Sequence, residues 1–295
     1  MAMYMPSIWM GQFHDAKKWQ SKERELATVY RLADCIDDRM IISRHPFVTE
    51  AWCAVCEEIK TMTLHWFQTG TNGAGSVHPA WTETMVCPDC ALASRNRALF
   101  AFLSEKMSLP RSTRVYISER VTAAYKAMKT KFSDVTGSEY LGSDIPPGEK
   151  RLFVKGNFMV RNEDLTRLSF ASESFDLVVT QDVFEHIPNY QNAFVECRRI
   201  LAPAGSLVFT IPFFYSATTT EVRAVIENGN VRHLLDPEYH GNPVGDGAAL
   251  CFQHFGWDIL ESLKQAGFSD ATANLYWGPW QGHLGLFFFI FHARF

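Results

Sequence analysis

The sequence predicts an α/β fold built on an open, mostly parallel sheet, and three observations within residues 162–212 predict it. Asn162 to Pro188 places a polar turn carrying Asp164 ahead of an almost unbroken apolar run, Phe175 to Val179, which stops at the polar pair Gln181-Asp182. A strand buried on both faces reads this way, with polar residues at its carboxyl end. Asn189 to Leu201 then sets Ala193, Phe194, Cys197, Ile200 and Leu201 on one helical stripe, and Pro203-Ala-Gly205 ends it. Ser206 to Ile211 is a second apolar strand, so the segment is strand, crossover helix and strand, with a right-handed crossover.

At 295 residues the chain is long enough for one domain of about 200 residues and a smaller module. A net charge of −4 provides no basic face for nucleic acid, which disfavours that class of partner. No apolar run reaches the roughly 18 residues of a membrane span, and Met1 to Gln20 lacks a basic start followed by an apolar segment. A cytoplasmic enzyme with neither membrane nor nucleic-acid partner is the expectation. The apolar run Phe287 to Phe291 reads as a buried strand near the end of the chain.

Four of the seven cysteines fall as two knuckles, Cys53-x-x-Cys56 and Cys87-x-x-Cys90. Each knuckle can direct two thiolates at one tetrahedral ion, and two knuckles close a structural zinc site with no position left for substrate. The plainer alternative is four unpaired core cysteines. Disulfides do not suit a chain without a secretory signal. His65 and His78 lie between the knuckles and can replace a cysteine, although four thiolates make them unnecessary. Cys35, Cys197 and Cys251 sit in apolar or helical surroundings that suit core residues.

Ahead of this module, Asp15 to Met40 is rich in helix formers, with Leu26, Val29, Tyr30, Leu32, Ala33 and Ile36 roughly on one face. Such a helix packs on the main domain or on a second copy of the chain, which makes a homodimer one of the expectations. Thr69 to Ser76 is glycine-rich but lacks the lysine and spacing of a phosphate-binding loop, so it reads as a flexible excursion. Ser94 to Met107 has a serine at a plausible N-cap and apolar residues at helical spacing. Its Arg95 and Arg97 are either surface residues or contacts to an anionic substrate.

The stretch Asp164, Leu168, Phe170, Ser174, Phe175, Asp176, then Glu185-His186-Ile187 follows the order D-x-x-x-L-x-F-x-x-x-S-F-D and E-H-I/V. In these residues the chain resembles the class I S-adenosylmethionine (SAM) dependent methyltransferases, of the type 11-like branch, over roughly Ser94 to Phe295. The resemblance implies a Rossmann-like sheet of seven strands, mostly parallel with the last antiparallel, and SAM as cofactor. It also implies where SAM lies. The first strand, Arg114 to Ser118, departs from the family, whose usual acid and G-x-G turn stands here as Ser118-Glu-Arg-Val-Thr122 without glycine. Two readings compete: Glu119 and the backbone after it hold the methionine amino group in an altered loop, or the SAM site is damaged. The second strand, about Asp134 to Tyr140, supplies Glu139 for the ribose hydroxyls, with Asp144 as runner-up and Tyr140 near adenine. Asp164 resembles the residue that accepts from the adenine amino group, with Leu165 beside it, and Gln181 and Asp182 line the sulfonium and the substrate mouth.

Methyl transfer needs alignment and, for a hydroxyl acceptor, a base. His186, with Asp182, is the catalytic candidate because imidazole titrates near neutrality; the alternative is that the Glu185-His186 pair only orients its loop. The forty-odd residues between Pro212 and Gly256 exceed a usual connection and read as a lid insertion at about 213–255, whose Tyr215, His240 and Asn242 are candidate substrate contacts. Trp257 to Gly267 reads as a helix, and Phe268 to Trp277 with Gly285 to Phe295 as the closing antiparallel pair.

The division expected is a helical segment at 1–46, a four-cysteine zinc module at 47–93 and a methyltransferase domain at 94–295. The expected reaction is O-methylation of a small molecule, a sugar or natural-product intermediate. The alternatives are SAM chemistry other than methylation, or a SAM-free scaffold that uses its zinc module for partner contacts. Nucleic-acid methylation is disfavoured further because Gln181-Asp-Val-Phe184 stands where an N/D-P-P-Y/F motif would.

Overall fold

The computed structural model describes residues 7–66, 69–71, 77–241, 244 and 247–295. Asn242 and residues 72–76 of the glycine-rich stretch lie outside the described residues. Seven strands form the central sheet: β1 (Trp9–Phe13), β2 (Arg114–Ile117), β3 (Asp134–Gly137), β4 (Phe175–Gln181), β5 (Leu201–Thr210), β6 (Asp270–Gly278) and β7 (His283–Arg294), in the order β1-β6-β7-β5-β4-β2-β3. The chain divides into two compact units, one of residues 1–13, 17–108 and 274–290, the other of 14–16, 109–273 and 291–295.

In the larger unit, β4 pairs in parallel with β5 (Val179↔Val208) and with β2 (Val179↔Ile117), and β2 pairs in parallel with β3 (Ile117↔Gly137). The end of β7 runs antiparallel to β5, Phe209 opposite Phe291 with their rings stacked 5.1 Å apart. The sheet is therefore the mostly parallel α/β arrangement expected, and all three parallel pairs carry their carboxyl ends to one edge, where ligands collect in such sheets. Val178, Val179, Leu207 and Val208 are fully buried, which is why the pattern reads as continuous rather than alternating. The crossover helix α4 (Tyr190–Ile200) is capped by Asn189, whose Oδ1 accepts from the Asn192 N–H, and buries Ala193, Phe194, Cys197 and Ile200. Thr122 caps α3 (Ala123–Lys131) in the same way, accepting from the Tyr125 N–H.

The count of seven strands matches expectation, but one member differs. Trp9–Phe13, ahead of the helix, is a strand that no period-2 pattern announced. Phe158–Arg161, to which the sequence reading assigned no strand, forms a hairpin with Lys150–Phe153 outside the central sheet. The long insertion after β5 is built of short antiparallel ladders, Ala224–Glu227 with Asn230–His233 and Tyr239–Gly241 with Ala248–Leu250, closed by Glu221–Val222 against Gln253–His254. The first two ladders pair neighbours in sequence, and the third ties the two ends of the insertion together.

In the smaller unit, the predicted N-terminal helix spans Ala16–Met40, here α1. Its buried positions are Trp19, Tyr30, Ala33 and Asp37, while Val29 and Leu32, placed on that stripe by the sequence, are 40% and 62% exposed. Asp37 decides the register: its carboxylate accepts the Trp277 indole N–H at 3.2 Å and the Gly285 N–H at 2.8 Å. The helix after the second knuckle, α2 (Ser94–Phe102), starts at the expected serine, but Ser94 is its first residue rather than its cap and is buried against His283, Oγ to Nδ1 at 3.0 Å.

Candidate functional site

The carboxyl ends of β2, β3 and β4 are joined by side chains rather than by further ladder bonds. Gln181, the last residue of β4, donates from Nε2 to Oε1 of Glu119, just past β2, at 2.9 Å. Glu139, just past β3, accepts on one oxygen, Oε1, from the backbone N–H groups of Arg120 (2.6 Å) and Val121 (2.9 Å). The glycine-free turn is thus held by a carboxylate from the neighbouring strand. The close approach that glycines give the family is supplied from across the sheet: a Cβ on Gly137 would lie 2.6 Å from the Glu119 carbonyl oxygen and 2.5 Å from the Tyr125 ring. Arg120 turns its guanidinium over Tyr125 at 4.4 Å and Phe158 at 4.5 Å, so this cation is held by aromatic faces.

Burial pushes the Glu139 carboxyl up to about 7, against the lowering effect of the two N–H donors, and the nearby Glu119 charge adds to the rise. Glu139 is almost completely buried, whereas Tyr140 beside it is exposed. Asp144 is exposed. Asn162 continues the edge: it forms a parallel bridge with Glu139, and its amide accepts from the Leu141 N–H at 2.7 Å and donates to the Ile145 carbonyl at 2.6 Å. Asp164 closes its own turn, Oδ1 accepting from the Thr166 N–H at 2.8 Å and the Thr166 hydroxyl at 2.7 Å, and Leu165 is buried next to it. The hydroxyls of Ser118, Thr180 and Thr210, at the ends of β2, β4 and β5, are buried with no hydrogen-bond partner among the described residues. Orphaned polar groups at one sheet edge fit a polar ligand there.

Asp182 leaves β4 in the left-handed region, φ +51°, with its N–H donating to the Thr210 carbonyl at 3.0 Å. A non-glycine residue held in that conformation carries strain of the kind that gathers at functional sites. The turn then coils through Phe184–His186, and the insertion folds against it: Phe252 N–H donates to the Glu185 carbonyl at 2.7 Å, and the Gln253 amide donates to the carbonyls of Phe184 (2.6 Å) and Ile187 (3.0 Å). This brings His240, 54 positions later, to the turn. Its Nδ1 is 3.7 Å from Glu185 Oε1, and His186 Nε2 is 3.6 Å from the same oxygen. The Glu185 side chain is completely buried, and burial raises its pKa. Glu185, with Glu238 on the other side, lifts His240 to about 9. Tyr215 is half-buried and gives its carbonyl to the Trp257 indole N–H at 2.8 Å.

In the smaller unit, Cys53, Cys56, Cys87 and Cys90 bring four sulfurs within 4.8 Å of one another, with Cys53–Cys90 and Cys56–Cys87 each 3.7 Å apart. A tetrahedron with 2.3 Å metal–sulfur bonds has edges of about 3.8 Å, so the sulfurs stand at the spacing of a four-thiolate ion site. As bare thiols they divide unequally: hydrogen bonding from Cys90 lowers Cys53 to about 5, while burial and the Cys53 charge push Cys56 up to about 12. A dication removes that conflict by favouring all four thiolates. Trp81, Met62, Leu64, Met85 and Leu284 pack round them. His78 is not among the ligand atoms; its Nε2 is 2.7 Å from Asp38 and its Nδ1 accepts the Trp81 indole N–H at 3.2 Å.

Arg97 does not reach an anionic substrate. It is completely buried, with Nη1 donating to the Gln281 carbonyl at 2.5 Å and Nη2 to the Met85 carbonyl at 3.0 Å, in the field of Cys53, Cys87 and Cys90. Arg95 pairs with Glu83, Nε to Oε1 at 2.5 Å. Sequence reasoning also passed over Gly137 and Glu238. Nothing local marks either, although a glycine closing β3 opposite a glycine-free turn is a signal that could have been weighed.

Residues 121–209 match the family described as methyltransferase domain. Among solved structures, a SAM-dependent methyltransferase from Mesorhizobium loti is 17% identical, with a TM-score of 0.42, over 69% of this chain and 98% of that one. A 1,6-didemethyltoxoflavin-N1-methyltransferase from Burkholderia thailandensis is 15% identical, TM-score 0.41, over 68% and 77%. A phosphoethanolamine N-methyltransferase 2 from Haemonchus contortus is 16% identical, TM-score 0.37, over 60% of this chain, which spans only 38% of that longer one. No curated protein matches the chain. No helix of the described residues is long and apolar enough to cross a membrane.

Proposed function

We propose that this chain, whose residues 121–209 match a methyltransferase domain, binds SAM along the carboxyl edge of β2, β3 and β4 and methylates an oxygen of a small molecule. The observation that carries the reading is the joined edge: Glu119 with Gln181, and Glu139 with the turn at Arg120-Val121, around buried hydroxyls that lack partners among the described residues. Ser118 and Glu119 face the methionine end of the cofactor. Glu139 keeps one oxygen for the turn and offers the other to the ribose, with Tyr140 beside adenine. Asp164 and Leu165 take the adenine edge, and Gln181 and Asp182 stand at the sulfonium.

Methyl transfer forms the acceptor–carbon bond as the sulfur–carbon bond breaks, its electron pair staying on sulfur. The protein's task is alignment, together with removal of the acceptor proton. His186 and Asp182 serve that removal, and Tyr215 and His240 of the insertion contact the acceptor, a sugar or natural-product intermediate. Oxygen is favoured over nitrogen because the half-buried imidazoles of His186 and His240 and the buried Glu185 carboxylate gather beside the strand end, where a hydroxyl needs a proton acceptor. The four cysteines hold a structural zinc ion, the spacing of their sulfurs being the support.

The test is calorimetry with SAM and its demethylated product, followed by transfer of a labelled methyl group to a panel of hydroxylated and amino acceptors. A dissociation constant on the order of tens of micromolar or tighter is expected. No heat with either nucleoside ends this reading, and label appearing only on amines ends the choice of oxygen.

A further inference from the structure

We infer that Glu185, His186 and His240 form a divalent metal site beside the end of β4, separate from the four-cysteine cluster. Oε1 of Glu185, Nε2 of His186 and Nδ1 of His240 face one another, all within 4.8 Å. Glu185 is completely buried, and neither of its carboxylate oxygens has a hydrogen-bond partner among the described residues. A buried carboxylate normally has partners, and two imidazole nitrogens at 3.6 and 3.7 Å are too far to serve as such. An ion held between the three atoms would give the buried carboxylate the partner it lacks among the described residues.

The remaining nitrogens point to the same arrangement. His186 Nδ1 lies 2.8 Å from the Leu250 carbonyl, which only an N–H can satisfy, so Nε2 is left as the lone pair facing Glu185. His240 Nε2 lies 3.0 Å from Glu238 Oε1, which leaves Nδ1 facing Glu185. Metal-bound histidines are oriented this way, the second nitrogen donating to a carbonyl or a carboxylate. The rings stand 5.0 Å apart at 82°, and one hairpin supplies both His240 and Leu250, so the two ligands are positioned together. The neighbouring group of Glu238, Cys251 and His254 does not compete. Arg223 places a cation 3.7 Å from Glu238 and 3.4 Å from His254 there.

Two imidazoles and one carboxylate suit a first-row divalent cation and leave coordination positions open for an oxygen ligand. This role deepens the methyl-transfer reading and rests on it. With the ion present, His186 and His240 are its ligands rather than groups acting directly on the acceptor: an acceptor hydroxyl bound at an open position loses its proton to Asp182 or water more readily, and its oxygen then takes the methyl group as the sulfur–carbon bond breaks.

The test titrates Co2+ into the full chain with its cysteines already zinc-loaded, following the visible d–d bands. Binding of one Co2+ without thiolate charge-transfer absorption is expected. Glu185→Gln and His240→Ala should each weaken it at least tenfold, Glu238→Gln less, and the exposed His233→Ala not at all. Absence of a thiolate-free cobalt spectrum, or binding that survives both ligand substitutions, overturns the site. His240→Ala alone decides the case if Glu185→Gln does not fold. Calorimetry with SAM on the same sample separates the two readings: cobalt bound without SAM sinks methyl transfer and leaves the metal site, and the reverse sinks the metal site alone.

Discussion

Gln181 Nε2 and Glu119 Oε1, 62 positions apart in sequence, meet at 2.9 Å across the ends of β4 and β2. One side chain closes the strand that a buried apolar run announces, and the other opens a turn that lacks the expected glycines. Their bond fixes the Glu119 carboxylate, which the proposed function sets against the methionine amino group of SAM. Gln181→Leu is therefore expected to lower SAM affinity by about tenfold, roughly 1.4 kcal/mol, because Glu119 loses the donor that orients it. Calorimetry checks this, and unchanged affinity removes Glu119 and Gln181 from the cofactor site.

Glu139 gives a pH dependence with a definite sign. Burial raises its folded-state pKa to about 7, above the ordinary glutamate value, so the folded state holds the proton more tightly. The resulting stability is fully present below about pH 4.5 and is lost as pH rises through about 7. Glu139→Gln keeps an oxygen for the Arg120 and Val121 N–H groups and removes the titration. Thermal unfolding of the variant should change less between pH 5.5 and 8 than that of the parent, with a relative gain on the order of 1–3 kcal/mol at pH 8. Equal pH profiles would refute the assignment.

For the cysteine cluster, one zinc ion per chain is expected by elemental analysis, and Cys53→Ser or Cys87→Ser should lose it and lower the melting temperature. Both cysteines are completely buried among Ala51, Met62, Trp81 and Met85, so the metal and the small core round it fall together. A full zinc content in either variant would show that the four sulfurs are not the ligands.

Arg97→Lys tests the buried cation behind that cluster. A lysine cannot span the Gln281 and Met85 carbonyls that the guanidinium fork reaches, so a loss of about 2 kcal/mol in unfolding free energy is expected, with the SAM heat unaltered. A variant of parental stability would mean that the fork is dispensable.

The sequence by itself determined the elements whose signals are local. The continuous run ending at Gln181-Asp182, the stripe from Ala193 to Leu201 and the α1 boundaries follow from periods and stop residues within one segment, and the knuckle spacing follows from ligand geometry. The strand at Trp9–Phe13 was not legible, because five residues of mixed polarity carry no period and become a strand only by pairing in the sheet. The Val29 and Leu32 face of α1 was misread for a related reason: Asp37 accepts two N–H groups from residues near the end of the chain, and that turns the helix. In the site, residue types at the strand ends could be read, but not their commitments. Only the fold brings Glu139 to the Arg120-Val121 turn, gives Glu119 its room over Gly137, and sets His240 beside Glu185 and His186. Those contacts join segments 18 to 62 residues apart, and a burial or a hydrogen bond between such segments exists only once the chain has closed.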